Sequence, residues 1–185
     1  MKAKVYFSKQ ITPKKVVELY KAVGLELPGK VAVKVHSGEK GNQNFLRPEF
    51  WKPVIEAVNG TVVECNTAYP GERNTTDAHR RTMIKHGWSK LFDVDILDAE
   101  GPDLELPIPN GKRIQKNLVG KDIKNYDSML VLSHFKGHPM GGFGGALKQL
   151  SIGCASSAGK ANIHGAGKPE EMWTTEQNAF LESMA

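Results

Sequence analysis

Short apolar runs alternate along the chain with stretches whose apolar residues recur at helical spacing. Lys4-Val-Tyr-Phe7 predicts a strand, and Thr12-Pro13 then opens a helix carrying Val16, Leu19, Tyr20 and Val23 on one face, with Gly24 as its stop. Val31 to Val35 predicts a second strand ending at His36-Ser-Gly38, followed by a polar loop containing Asn42 and Asn44. Trp51, Val54, Ile55 and Val58 fit a helix closed by Asn59-Gly60, although Pro53 either marks its start or kinks it. Thr61 to Cys65 is the next strand. Asn74 to Asp77 caps a polar helix bearing His79, Arg80, Arg81 and His86, stopped by Gly87.

The pattern loosens from Leu91 to Gly120. Val94 to Leu97 and Arg113 to Val119 fit strands, and Leu104 to Pro109 is extended and broken by proline. Ser128 to Leu132 then predicts a strand buried on both faces, leading through a glycine-rich turn into a helix beginning at Ala146. Pro169 opens a further helix, Thr174 and Gln177 fit a capping box, and Ala179 to Leu181 begins an apolar face. Strands alternating with helices predict an α/β fold of Rossmann-like type, with a mostly parallel sheet, helices on both faces and right-handed crossovers.

The 185 residues suit one domain, 1–185. The last helix stops without Gly, Asn or Pro, so the sequence reads as the N-terminal part of a longer protein. No leader pattern and no bilayer-length apolar run is visible, which predicts a cytoplasmic protein with no membrane partner. A net charge of +5, dispersed and without arginines interleaved with aromatics, argues against nucleic acid. Two cysteines, Cys65 and Cys154, supply neither a disulfide framework nor a four-cysteine cluster.

Chemistry concentrates between Ser133 and Gly165. Gly141, Gly142, Gly144 and Gly145 allow close approach of a ligand to the main chain, and their N–H groups with the following helix N-terminus favour an anion. Neither a Walker nor a dinucleotide fingerprint is present. Lys148, one turn on, can neutralise that anion or act as a nucleophile if desolvated, and His138 and His164 flank it. In open parallel sheets ligands bind beyond the carboxyl ends of the strands. Three strand ends here carry polar groups: His36, then Cys65 and Asn66, then Ser133 and His134. These suit a metal rim, but a small buried cysteine and a hydrogen-bonded loop histidine account for them better, since no ligand spacing is fixed locally.

The string from Leu132 through His138, Gly141 to Gly145 and Lys148 to Ser156 resembles the uncharacterised iron–sulfur-centre proteins, the domain-of-unknown-function family 362. That resemblance implies a ferredoxin-like segment holding 4Fe-4S clusters, or a redox partner, outside this sequence. A more distant similarity links His138, Gly142 to Lys148 and His164 to the N-terminal domain of nickel-pincer lactate racemases. It implies Lys148 as the tether of a nickel-pincer-like cofactor, His164 as a metal ligand, and His138 as an acid/base. His79-Arg80 and Arg47-Pro48 resemble the racemases' second acid/base histidine and substrate-pocket pair. Asn44 replaces an aspartate and Gly144 a serine, and the second racemase domain has no counterpart.

The expectation is a domain that binds an anionic small molecule, cofactor or metal at the loop 137–148 and serves a redox or metal-dependent role. The alternatives are racemase-like chemistry on a 2-hydroxy acid, and a non-catalytic binding module.

Overall fold

A computed structural model describes residues 3–101, 103–173 and 177–184. Helix α1 spans Pro13–Val23; the Thr12 hydroxyl accepts the Lys15 N–H, and Gly24, at φ 68°, closes it in the left-handed conformation. β1 is Val31–Lys34, α2 Pro48–Ala57 and β2 Thr61–Glu64. Pro53 sits inside α2 without breaking it. It is exposed, as is Glu49, whose carbonyl loses its partner to the missing N–H, so water can serve that carbonyl. Helix α3 is Thr76–Lys85, capped by Thr75, and α4 is the short turn Trp88–Leu91.

β3 (Val94–Ile96) and β6 (Ser128–Val131) complete a four-stranded, all-parallel sheet in the order β3-β2-β1-β6. One face rests on Val31, Val33, Val35 and Val62 against Trp51, Val54 and Ile55 of α2, with Met83 and Trp88 closing the layer and α1 packed outside. The other face carries Ala32, Val63, Cys65 and Leu97 against Ile123, Tyr126 and Met129. α5 (Ala146–Cys154) lies on this second side, where Gln149 donates to the Lys34 and Leu132 carbonyls at 2.9 and 3.3 Å. The α/β, Rossmann-like architecture expected from the alternation is therefore present.

Several elements differ from the sequence pattern. Residues 4–7 form no strand: Val5 and Phe7 are 87% and 80% exposed, and an extended segment without a neighbour to pair with gains no ladder. The segments around 104–119 stay out of the parallel sheet and form their own antiparallel pair, β4 (Leu104–Pro107) with β5 (Lys116–Val119). β6 is an edge strand whose residues are only partly buried, not a central one. The glycine stretch folds as a hairpin, β7 (Lys136–His138) with β8 (Gly142–Gly144), and Gly142 turns it at φ 69°.

α6 (Ser157–His164) and α7 (Gln177–Glu182) enclose a second, smaller core of Ile114, Ile152, Ile163 and Phe180. Pro169 starts only a 3-10 turn, Pro169–Glu171, and Thr174 lies outside the described residues. No helix among the described residues is long and apolar enough to cross a membrane.

Candidate functional site

The carboxyl ends of β1, β2 and β6 open into one cavity of about 480 Å³. Lys34 and His36 reach it from β1, Glu64 and Cys65 from β2, and His134 from the loop after β6. The hairpin and the helices close it with His138, Gly144, Gly145, Lys148, Lys160 and His164. Residues 26 apart, His138 and His164, meet around Phe180 of α7: His138 stacks on the ring at 5.1 Å and 8°, and His164 lies 5.6 Å away, tilted by 43°.

A buried charge network forms the floor. Lys34 and Glu64 are the last residues of β1 and β2, and Lys34 Nζ donates to Glu64 Oε2 at 2.6 Å and to the Val35 carbonyl at 2.7 Å. Glu64 Oε1 accepts from Ser37 N and Oγ at 2.9 and 3.0 Å and from Arg73 at 3.2 Å. Burial pushes the Glu64 carboxyl up, but the Lys34 and Arg73 charges outweigh it and hold the group far below the usual carboxylate range. Arg73 also pairs with Glu39, which accepts from the Tyr69 hydroxyl at 2.9 Å. None of the site residues expected from the sequence belongs to this floor. Its signal was a lysine and a glutamate each ending an otherwise apolar strand.

Five cations line the cavity, Lys34, Arg73, Lys136, Lys148 and Lys160, against two carboxylates, Glu39 and Glu64. Both carboxylates are already committed to Lys34 and Arg73, so the three remaining ammonium groups have no lining carboxylate left to pair with. Burial and the nearby Lys136, Lys34 and Lys160 bring the Lys148 pKa down to about 8. His138 and His164 are lowered by burial and then by the Lys148 charge, which favours neutral rings. His138 Nδ1 accepts the Gly141 N–H at 3.2 Å, so a neutral His138 carries its proton on Nε2. Arg73 Nε and His134 Nδ1 are buried polar atoms of lining residues without a hydrogen-bond partner among the described residues.

Other expected site residues lie elsewhere. Gly141 backs onto Phe180 and Met184, where a Cβ would come within 3.2 and 3.3 Å, and Gly142 sits at the hairpin turn. Neither lines the main cavity, so the glycines supply a hairpin wall where an N–H nest was expected. Arg47, at the N-cap of α2, is exposed, stands 4.1 Å over the Phe45 ring and donates to the Gln43 side chain at 2.8 Å. It does not reach the cavity.

His79 has no exposed surface; its Nδ1 lies 3.1 Å from Asn66 Oδ1 and its Nε2 3.5 Å from Ser37 Oγ. That order has the outline of a nucleophile relay. However, Ser37 is also fully buried and its hydroxyl sits nearer Glu64 than the imidazole, so the group braces the strand ends. Burial lowers the His79 pKa to about 4, so the ring is neutral.

Both thiols are buried. Cys65 Sγ donates to the Cys154 carbonyl at 3.3 Å, Cys154 Sγ to the Gln149 carbonyl at 3.6 Å, and burial pushes both pKa values up. Two buried thiols fall short of the four thiolates that an iron–sulfur cluster takes. Among the described residues no three His, Cys, Asp or Glu side chains gather to hold a metal ion.

A parallel α/β domain with a cationic cavity beyond its strand ends is thus defined. The chain belongs to the family described as Domain of unknown function (DUF362), which it matches over residues 31–185. No curated protein and no solved structure matches it.

Proposed function

We propose that this domain binds a small anionic molecule, a carboxylate or phosphate ester, in the cavity beyond β1, β2 and β6. The observation that carries this reading is the charge balance of the lining. Glu64 and Glu39 are neutralised inside the floor, while Lys136 and Lys148 have no ion-pair partner among the described residues and Lys160 donates only to the Ala155 carbonyl. Holding such cations close together in a partly dehydrated cavity is unfavourable until an anion joins them. The unpartnered Arg73 Nε and His134 Nδ1 supply further polar contacts for it.

A redox or metal-dependent role remains part of the proposal only with donors from outside this chain's own residues. The protein's thiols do not supply them, whereas a cofactor bearing its own metal donors would need little more than an amine and an imidazole. Lys148 and His164 share the cavity and are of that kind. The racemase reading has less behind it, because His79 is sealed beneath the floor and Arg47 lies outside. A 4Fe-4S segment or redox partner would be joined to this domain in a longer protein, and cytoplasmic residence is part of the same proposal.

The test is calorimetric titration with oxalate and with inorganic phosphate. Micromolar to millimolar binding that weakens with salt is expected, and Lys148→Met should weaken it about tenfold, the loss of one charge-assisted contact. Arg47→Ala should leave it unchanged. No binding of either anion, or equal loss in the two variants, overturns the reading.

A further inference from the structure

We propose that Lys148 is a carbonyl-reactive amine, and that the anion bound in this cavity is an oxo acid with which it forms an imine. The inference rests on the anion-binding reading above and adds a reaction at one named atom.

The lysines of the cavity are not equivalent. Lys34 Nζ is consumed by Glu64 and the Val35 carbonyl, Lys160 donates to the Ala155 carbonyl, and Lys136 is exposed on β7. Lys148 alone among them is half-buried with neither a hydrogen bond nor an ion pair to its ammonium among the described residues. It stands in the first turn of α5, next to Gly144 and Gly145, and a Cβ on Gly144 would already lie 3.5 Å from its Cδ. The stem therefore has room to swing because its neighbours lack side chains. Dehydration and surrounding cations favour the free amine, the nucleophilic form, and the same cations draw in an anion.

An anion whose electrophilic carbon is a carbonyl satisfies both demands. The Lys148 nitrogen attacks the carbonyl carbon, the carbonyl oxygen takes a proton to give the carbinolamine, and loss of water then leaves the C=N bond. The hydroxyl leaves as water with a proton taken from solvent, and the nitrogen gives its remaining proton back to solvent; the neutral His138, with its proton on Nε2, lines the same cavity and can donate a hydrogen bond to the departing oxygen. No oxidant or reductant enters.

The experiment uses glyoxylate as probe, with brief exposure to cyanoborohydride at neutral pH. The reductant delivers hydride to the imine carbon and fixes a carboxymethyl group on the amine. Peptide mass mapping of the wild-type chain should find Lys148 labelled at least ~10-fold above the exposed lysines, since a pKa near 8 leaves far more free amine than an ordinary lysine. Excess oxalate, which lacks an aldehyde, should suppress that label and spare the rest. Lys148→Arg, checked for native circular dichroism, should lose it.

Labelling spread evenly over surface lysines, or label persisting in the cavity of Lys148→Arg, overturns the assignment. If oxalate binds by calorimetry and Lys148 stays unlabelled, the imine is excluded while the anion site stands. If neither oxalate nor phosphate binds and Lys148 is unlabelled, both fail.

Discussion

Glu64→Gln isolates the energetics of the cavity floor. The substitution keeps the side-chain volume, so no hole opens, but it removes the one charge facing both Lys34 at 2.6 Å and Arg73 at 3.2 Å. Lys34 and Glu64 are 2% and 3% exposed, so water cannot replace what is lost. Removing one partner of a buried pair and leaving the other charge uncompensated costs about 3–5 kcal/mol. Against a total stability of about 5–15 kcal/mol, that is at least about a fifth of the whole, and a fall of roughly 6–20 °C in Tm. Urea denaturation at pH 7 reads it directly, because the buried Trp51 and Trp88 report unfolding by fluorescence.

A second substitution, Lys34→Met in the Glu64→Gln background, should restore about 1 kcal/mol or more by removing an unpaired cation. pH adds an independent check. The folded Glu64 pKa lies below its unfolded value of 4.5, so its contribution is complete above that pH and is lost as pH falls beneath it. The gap between wild type and variant should therefore narrow below about pH 4.5. A loss under about 1 kcal/mol at pH 7 with an unchanged m value would refute the argument, since it would mean the floor charges are hydrated.

Two further outcomes follow from local geometry. His79 titrates near 6.5 unfolded and near 4 folded, so the unfolded state binds the proton first and stability should fall as pH drops through that window. In His79→Gln, urea midpoints should show a flatter dependence between pH 6.5 and 4; an unchanged slope would place the titration elsewhere. Gly142→Ala should cost about 1–2 kcal/mol because its φ of 69° is left-handed, whereas Gly137→Ala, with open space and ordinary backbone, should cost under about 0.5 kcal/mol by thermal melting. Equal costs at the two positions would show that hairpin conformation is not what Gly142 supplies.

The alternation of apolar runs with helical spacing was enough to read α1, β1, α2, β2 and α3, since each is specified by neighbours within a dozen residues: a cap, an apolar stripe, a stop. Thr12, Thr75 and Gly24 do in the fold what their positions in the sequence predict. The strand ends were legible too, because a parallel sheet delivers them to one rim, and His36, Cys65 and His134 do meet there. The same local logic failed at residues 4–7, where β-forming residues have no strand to pair with, and at β4 and β5, which pair with each other off the sheet.

Sequence alone thus determined the class of fold and which strand ends reach one rim, because those depend on periodicity and composition over short spans. Only the tertiary structure decided which residues share a cavity. It joined Glu64 to Lys34 and to Arg73, 30 and 9 residues away along the chain, and set His138 and His164 around a phenylalanine from α7. It also removed Arg47 to the surface and sealed His79. Burial and through-space charge are sums over everything that packs nearby, and no local pattern in the chain contains them.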